Sequence, residues 1–158
     1  MSNIPTRTEE LKASLQLQSH VEGGHYHRFY PPDGVGNVGV RRAMSAIHYL
    51  LEAGQCSSWH RVDAEEAWHF VEGDPLELLI YNPVTQRPDR YCLGPLTGGM
   101  HAMTVVPAGA WQAARPLGSY TLVTCVVAPE FEYEGHELLA KDDPLAAHLA
   151  GWAPEISF

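Results

Sequence analysis

Between residues 25 and 128 the sequence is cut at short intervals by glycine and proline, and this punctuation constrains the fold more than any other feature. The breaks are Pro31-Pro32-Asp33-Gly34, Gly54, Gly73-Asp74-Pro75, Asn82-Pro83, Gly94-Pro95, Gly98-Gly99, Pro107-Ala108-Gly109 and Pro116-Leu117-Gly118. Proline interrupts both helices and central strands, and glycine supplies the backbone angles of tight turns, so no long helix or βαβ crossover fits between them. The segments left over are rich in aromatic and β-branched residues: 25–30, 43–51, 56–62, 65–71, 76–82, 89–93, 101–106, 110–115 and 120–128. About nine short strands with turns every 8–12 residues predict an all-β sandwich or barrel.

Helix signals sit only at the ends. Thr6-x-x-Glu9 has the form of a capping box, and Leu11, Leu15 and Gln18 follow at helical spacing, which predicts a helix over 7–18. Asp143 before Pro144 reads as an N-cap with proline at the first helical position, which predicts a short helix over 144–150.

At 158 residues the chain is expected to form one domain over 1–158, with its core in about 20–135. An apolar share of 45% against 18% charged excludes a disordered chain. Nineteen acidic against ten basic residues, a formal charge of −9, argue against nucleic acid or an anionic membrane as partner. No segment approaches the roughly 18 apolar residues of a membrane span, and Met1–Glu10 lacks the apolar run of a secretion signal. Three scattered cysteines, Cys56, Cys92 and Cys125, do not make a disulfide framework, so a cytoplasmic protein is expected. Residues 31–40 are expected to be the most mobile loop.

Phosphate-binding Gly-x-x-x-x-Gly-Lys, Gly-x-Ser-x-Gly and Cys-x-x-Cys motifs are all absent. The chemistry concentrates in Gly54–Gly73, which holds His60, Asp63, Glu65, Glu66 and His69 within ten residues. Alternation along a strand puts Glu66, Trp68 and Phe70 on one face and Glu65, Ala67, His69 and Val71 on the other. A hairpin with His60 opposite Glu66 would pair a buried imidazole with a carboxylate, an arrangement suited to metal binding or to proton transfer.

At this point the sequence resembles a cupin. Gly54, His60, Glu66 and Gly73 fall on the spacing of the first cupin motif, with Val62 where a second histidine is usual. Pro107-Ala108-Gly109 fits the second motif, with Gln112 at its histidine position and His101 in place of its leading glycine. The sequence resembles more closely one cupin family long listed as a domain of unknown function. The likeness rests on His20-Val21-Glu22-Gly23-Gly24, Ser57-Ser58-Trp59-His60-Arg61-Val62, Glu66-Ala67-Trp68-His69-Phe70, Gly73-Asp74-Pro75-Leu76, Val106-Pro107-Ala108-Gly109-Ala110-Trp111-Gln112-Ala113-Ala114 and Val127-Ala128-Pro129-Glu130-Phe131-Glu132-Tyr133. The match runs over roughly residues 7–140. Val21 departs from that family's pattern, as do His25-Tyr26-His27-Arg28 and His48.

The resemblance implies a double-stranded β-helix, the RmlC-like jelly-roll barrel, with a short helix at each end and a small-molecule pocket inside. His60 and Glu66 are the expected catalytic pair, and Trp68, Gln112, His48 and Tyr49 the expected substrate contacts. An isomerase or epimerase acting by proton transfer on a sugar-like metabolite is the first reading, since sugar-nucleotide epimerases of the cupin class carry a histidine at the position of His60. A metal-dependent enzyme such as a dioxygenase is the second, with iron, manganese, nickel or zinc on His60, Glu66 and Gln112 or His48; His25 and His27 could join His48 and His60 in a nitrogen-rich site, although an exposed edge strand is the expected place for His25 and His27. A non-catalytic ligand-binding or sensor module is the third. The resemblance also implies a homodimer. His69 is expected to face outward, and His101, His136 and His148 to lie on the surface. Cys56 and Cys125 are expected to be small buried hydrophobes, and Glu130, Glu132 and Glu134 a solvated strand face.

Overall fold

A computed structural model describes residues 4–32, 35 and 39–158. The centre of the 31–40 loop therefore lies outside the described residues. Helix α1 (Arg7–Ser14) opens the chain, and β1 (Gln18–Ser19), β2 (His25–Tyr30), β3 (Ser45–Glu52), β4 (Ser57–Val62) and β5 (Glu65–Gly73) follow. Then come β6 (Leu76–Asn82), β7 (Arg87–Leu93), β8 (Met103–Val106), β9 (Trp111–Pro116), β10 (Tyr120–Ala128), β11 (His136–Leu138) and α2 (Pro144–Trp152). The strands form two antiparallel sheets, ordered β1-β2-β3-β10-β5-β8 and β11-β4-β9-β6-β7. This is the jelly-roll architecture that the cupin resemblance implies, within the all-β sandwich or barrel class that the punctuation predicts.

Both helix starts behave as the sequence predicts. Thr6 accepts from the Glu9 amide while the Glu9 carboxylate accepts from the Thr6 amide, and Asp143 caps α2 through the Leu145 amide. Helix α1 stops at Ser14 rather than running to 18, because Gln16 takes a left-handed conformation (φ 55°) that breaks the helical ladder.

Alternation along each strand separates an interior from two outer faces. Tyr49, Leu51, Trp68, Leu78, Ile80, Val123 and Cys125 pack between the sheets. Outside the second sheet, α2 buries Ala146 and Leu149 against Trp59, Leu79, Tyr81 and Trp111. Outside the first, Leu11 of α1 packs on Leu50 and Leu122. Among the described residues, no helix is long and apolar enough to cross a membrane.

Strand order corrects one expectation. β4 and β5 are consecutive but belong to opposite sheets. His60 stands in register with Gln112 on β9, whereas Glu66 is flanked by Val127 and Val106. The two side chains are therefore brought together across the barrel and not across a hairpin.

Candidate functional site

A cavity of about 240 Å³ opens between the sheets. Its polar wall includes His20, Glu22, Glu66, Ser45 and Tyr49, and its apolar wall Tyr26, Ile47, Val62, Val127 and Phe131.

Glu22 enters from a turn that only glycine permits. Gly23 has φ +112°, and a Cβ there would run into the Cys56 carbonyl; Gly24 has φ +69°, and its Cβ would lie 2.6 Å from the Leu50 carbonyl oxygen. The turn is pinned at both ends. The Ser58 amide donates to the Glu22 carbonyl (2.9 Å), and the Tyr49 hydroxyl donates to the Gly23 carbonyl (2.7 Å). With its backbone pressed on β4, Glu22 sends its carboxylate inward, where it is 7% exposed.

That carboxylate is the hub of the site. The Ser57 hydroxyl donates to Oε2 (2.9 Å) and His136 Nε2 donates to Oε1 (2.8 Å). His60 Nε2 stands 3.5 Å from Oε2. Burial pushes the carboxyl up, but His60, the His136 hydrogen bond and His20 outweigh burial and hold it down at about 2. His60 itself is oriented by its other nitrogen, which donates to the Ser58 carbonyl (2.8 Å). At 2% exposure it sits behind Glu22 and is not part of the cavity wall.

Glu66 has the opposite environment. Burial raises its pKa, the nearby Glu22 adds to this, and His60 and the donors Gln112 and Cys125 oppose it. Gln112 Nε2 donates to Glu66 Oε2 (2.6 Å), and Gln112 Oε1 accepts from Trp68 Nε1 (2.7 Å). Two carboxyls therefore face one cavity with their proton affinities driven apart, the pattern that separates a permanent anion from a group able to carry a proton.

Of the side chains singled out in the sequence, Glu66 and Tyr49 line the cavity. Trp68 and Gln112 lie beneath it in the core, where Gln112 spends both ends of its amide on Trp68 and Glu66. His48 turns to the outside of the first sheet, where it stacks on Phe29 at 4.4 Å and pairs in register with His27. His27 reaches the cavity rim and His25 does not. His136, expected on the surface, is turned inward, with its side chain 7% exposed. Glu130 is also buried: its carboxylate accepts from the Arg42 amide (3.0 Å). Cys125 lines the cavity, and burial raises its thiol pKa well above the usual range, which disfavours the thiolate.

The donor set does not fit a divalent transition metal. Val62 and the fully bonded Gln112 occupy two of the four usual cupin ligand positions. Among the described residues, no three His, Cys, Asp or Glu side chains are grouped to hold an ion.

The residues that sequence reading missed are His20, Glu22 and His136. The first two stand in the His20-Val21-Glu22-Gly23-Gly24 segment, whose paired glycines were the available signal. His136 carried none.

Comparison with known proteins agrees with this architecture. The family model described as "Cupin superfamily (DUF985)" matches residues 9–139. A protein of known structure from Shewanella oneidensis is 26% identical, with a TM-score of 0.85 over 98% of this chain and 99% of its own. A hypothetical protein from Leishmania major is 27% identical, with a TM-score of 0.76 over 95% of this chain and 94% of its own. Oxalate decarboxylase from Bacillus subtilis shares the fold at 12% identity, with a TM-score of 0.61 over 88% of this chain and 34% of its own. No curated protein matches the sequence.

Proposed function

We propose that this chain, which belongs to the DUF985 family of the cupin superfamily, binds a small polar metabolite in the barrel cavity and moves a proton on it, as isomerases and epimerases do. The observation that carries this reading is the pair of carboxyls facing one cavity, Glu22 held as the anion and Glu66 raised towards the range of a general acid/base. Glu66 is the proton-carrying group. Glu22 is a fixed acceptor for the ligand's hydroxyls. His60 and His136 are positioning residues that hold Glu22 in place and charged.

Thermal-shift screening with a library of sugars and hydroxy acids tests the reading, followed by product analysis of each compound that stabilises the protein. A compound converted by the wild type and bound but not converted by Glu66→Gln is the expected result. A compound bound and recovered unchanged would make the chain a binding or sensor module. Stabilisation by no member of the library would refute the cavity as a polar-metabolite site.

A homodimer is the proposed assembly. The outer face of the first sheet exposes Val71, Met103 and Val105, which a second copy would cover. Light scattering that shows only monomer refutes it. A reducing compartment such as the cytoplasm suits the three free cysteines.

A further inference from the structure

His20 is a polar side chain of the cavity wall to which the reading above gives no task. Its Nδ1 accepts the Glu22 backbone N–H at 3.1 Å, so Nδ1 carries a lone pair and the neutral ring must carry its hydrogen on Nε2. The ring is held edge-on to Tyr26 (4.5 Å between centroids) and tilted against Tyr49 (5.2 Å). Its side chain is only 10% exposed. Among the described residues, nothing accepts a hydrogen bond from Nε2, while the ring lines the cavity. The wall thus presents a neutral N–H donor of a single tautomer, together with Glu66 as proton carrier.

We propose that His20 Nε2–H binds the carbonyl oxygen of the ligand, and that the cavity takes α-hydroxy-carbonyl compounds whose α-proton Glu66 removes. The proposal rests on the proton-transfer reading above. The step balances without a redox partner. The ionised Glu66 carboxylate takes the proton as the Cα–H bond breaks. That electron pair forms the C=C bond, and the carbonyl π pair moves onto oxygen, where Nε2–H receives it. Returning the proton to the former carbonyl carbon, with the hydroxyl proton passing to the oxygen held by His20, gives the isomerised hydroxy-carbonyl compound. A neutral imidazole suits this task because its N–H does not surrender its proton to the enolate. Burial lowers the pKa of His20, Glu22 opposes this, and His60 and His136 add to the lowering, which favours the neutral ring.

Two measurements test this. The first needs no ligand: ¹⁵N NMR of the histidines should show His20 as the Nε2–H tautomer, and an Nδ1–H tautomer would overturn the proposal. The second is deuterium incorporation from D2O into dihydroxyacetone, followed by ¹H NMR. The wild type should exchange the α-hydrogens faster than buffer. His20→Phe should lose about a hundredfold to a thousandfold of that rate, the usual cost of removing one such donor. His20→Gln, which restores an amide N–H, should recover part of it, and thermal unfolding checks that both variants fold. Exchange in His20→Phe at the wild-type rate, or no exchange by the wild type, would overturn the proposal. A library compound that binds the cavity while no carbonyl compound exchanges would overturn it too, and would leave the binding reading standing.

Discussion

Replacing Glu22 by glutamine tests the electrostatic hub directly. The amide keeps the shape of the side chain and its one oxygen can still accept from Ser57, so what is lost is the charge together with the acceptor for the His136 N–H. Glu22 is held at about 2 against an ordinary 4.5. That is about 2.5 decades of proton affinity at roughly 1.4 kcal/mol each, or about 3 kcal/mol of folding stability carried by the ionised form. The sign follows from the depressed folded value. The contribution is fully present above pH 4.5, and it is lost as pH falls through 4.5 towards 2. Glu22→Gln is therefore expected to unfold about 3 kcal/mol more easily than the wild type in urea at pH 7, which is a fall in Tm of about 6 to 12 °C. The gap should narrow below pH 4.5 and fall to about a quarter of its full size at pH 2.5. Equal stability at pH 7 would mean that His60 and His136 do not act on the carboxylate as described. A gap of 3 kcal/mol that persists unchanged to pH 2.5 would mean that amide geometry, and not charge, causes the loss.

Other expectations follow from the same geometry. Glu66→Gln should raise stability at pH 7 and not at pH 4, because burial lifts the folded pKa above the unfolded one and the ionised carboxyl then costs stability only at higher pH; urea titrations at the two pH values check this, and an equal gain at both would contradict it. Gly23→Ala should cost more than about 2 kcal/mol, since it combines a left-handed backbone with a collision against the Cys56 carbonyl. It should also abolish binding of any cavity ligand by displacing Glu22, as calorimetry would show. Leu149→Ala should cost about 2–5 kcal/mol by leaving a void under α2, where Leu149 is fully buried, with cavity binding retained in the folded fraction.

Much of the fold was legible in the chain itself. The glycine and proline breaks mark the turns between strands, and Thr6, Glu9 and Asp143 mark the helix starts, because backbone dihedrals and unsatisfied amides are local matters that a few neighbouring residues settle. The placement of Glu66 on an inward face was also local, since alternation along a strand needs no partner. Two short strands, β1 and β11, escaped notice because runs of two and three residues carry no period to read.

The site was legible only in part, and the reason is distance along the chain. Glu22 meets His60 and His136 from 38 and 114 residues away. Alternation tells which residues of a strand share a face, but not which strand lies opposite. His60 and Glu66 read as hairpin partners because six residues separate them, yet β4 and β5 close opposite sheets. Gln112 reads as a ligand or a substrate contact, and packing instead uses up both ends of its amide. By itself the sequence determined the strands, the turns and the inward carboxyl, through preferences that act over a few residues. Only the tertiary structure decided that a carboxylate from the N-terminal turn and two histidines from β4 and β11 share one buried cluster, because burying charge in a closed barrel rewards whichever distant partners the closure brings together.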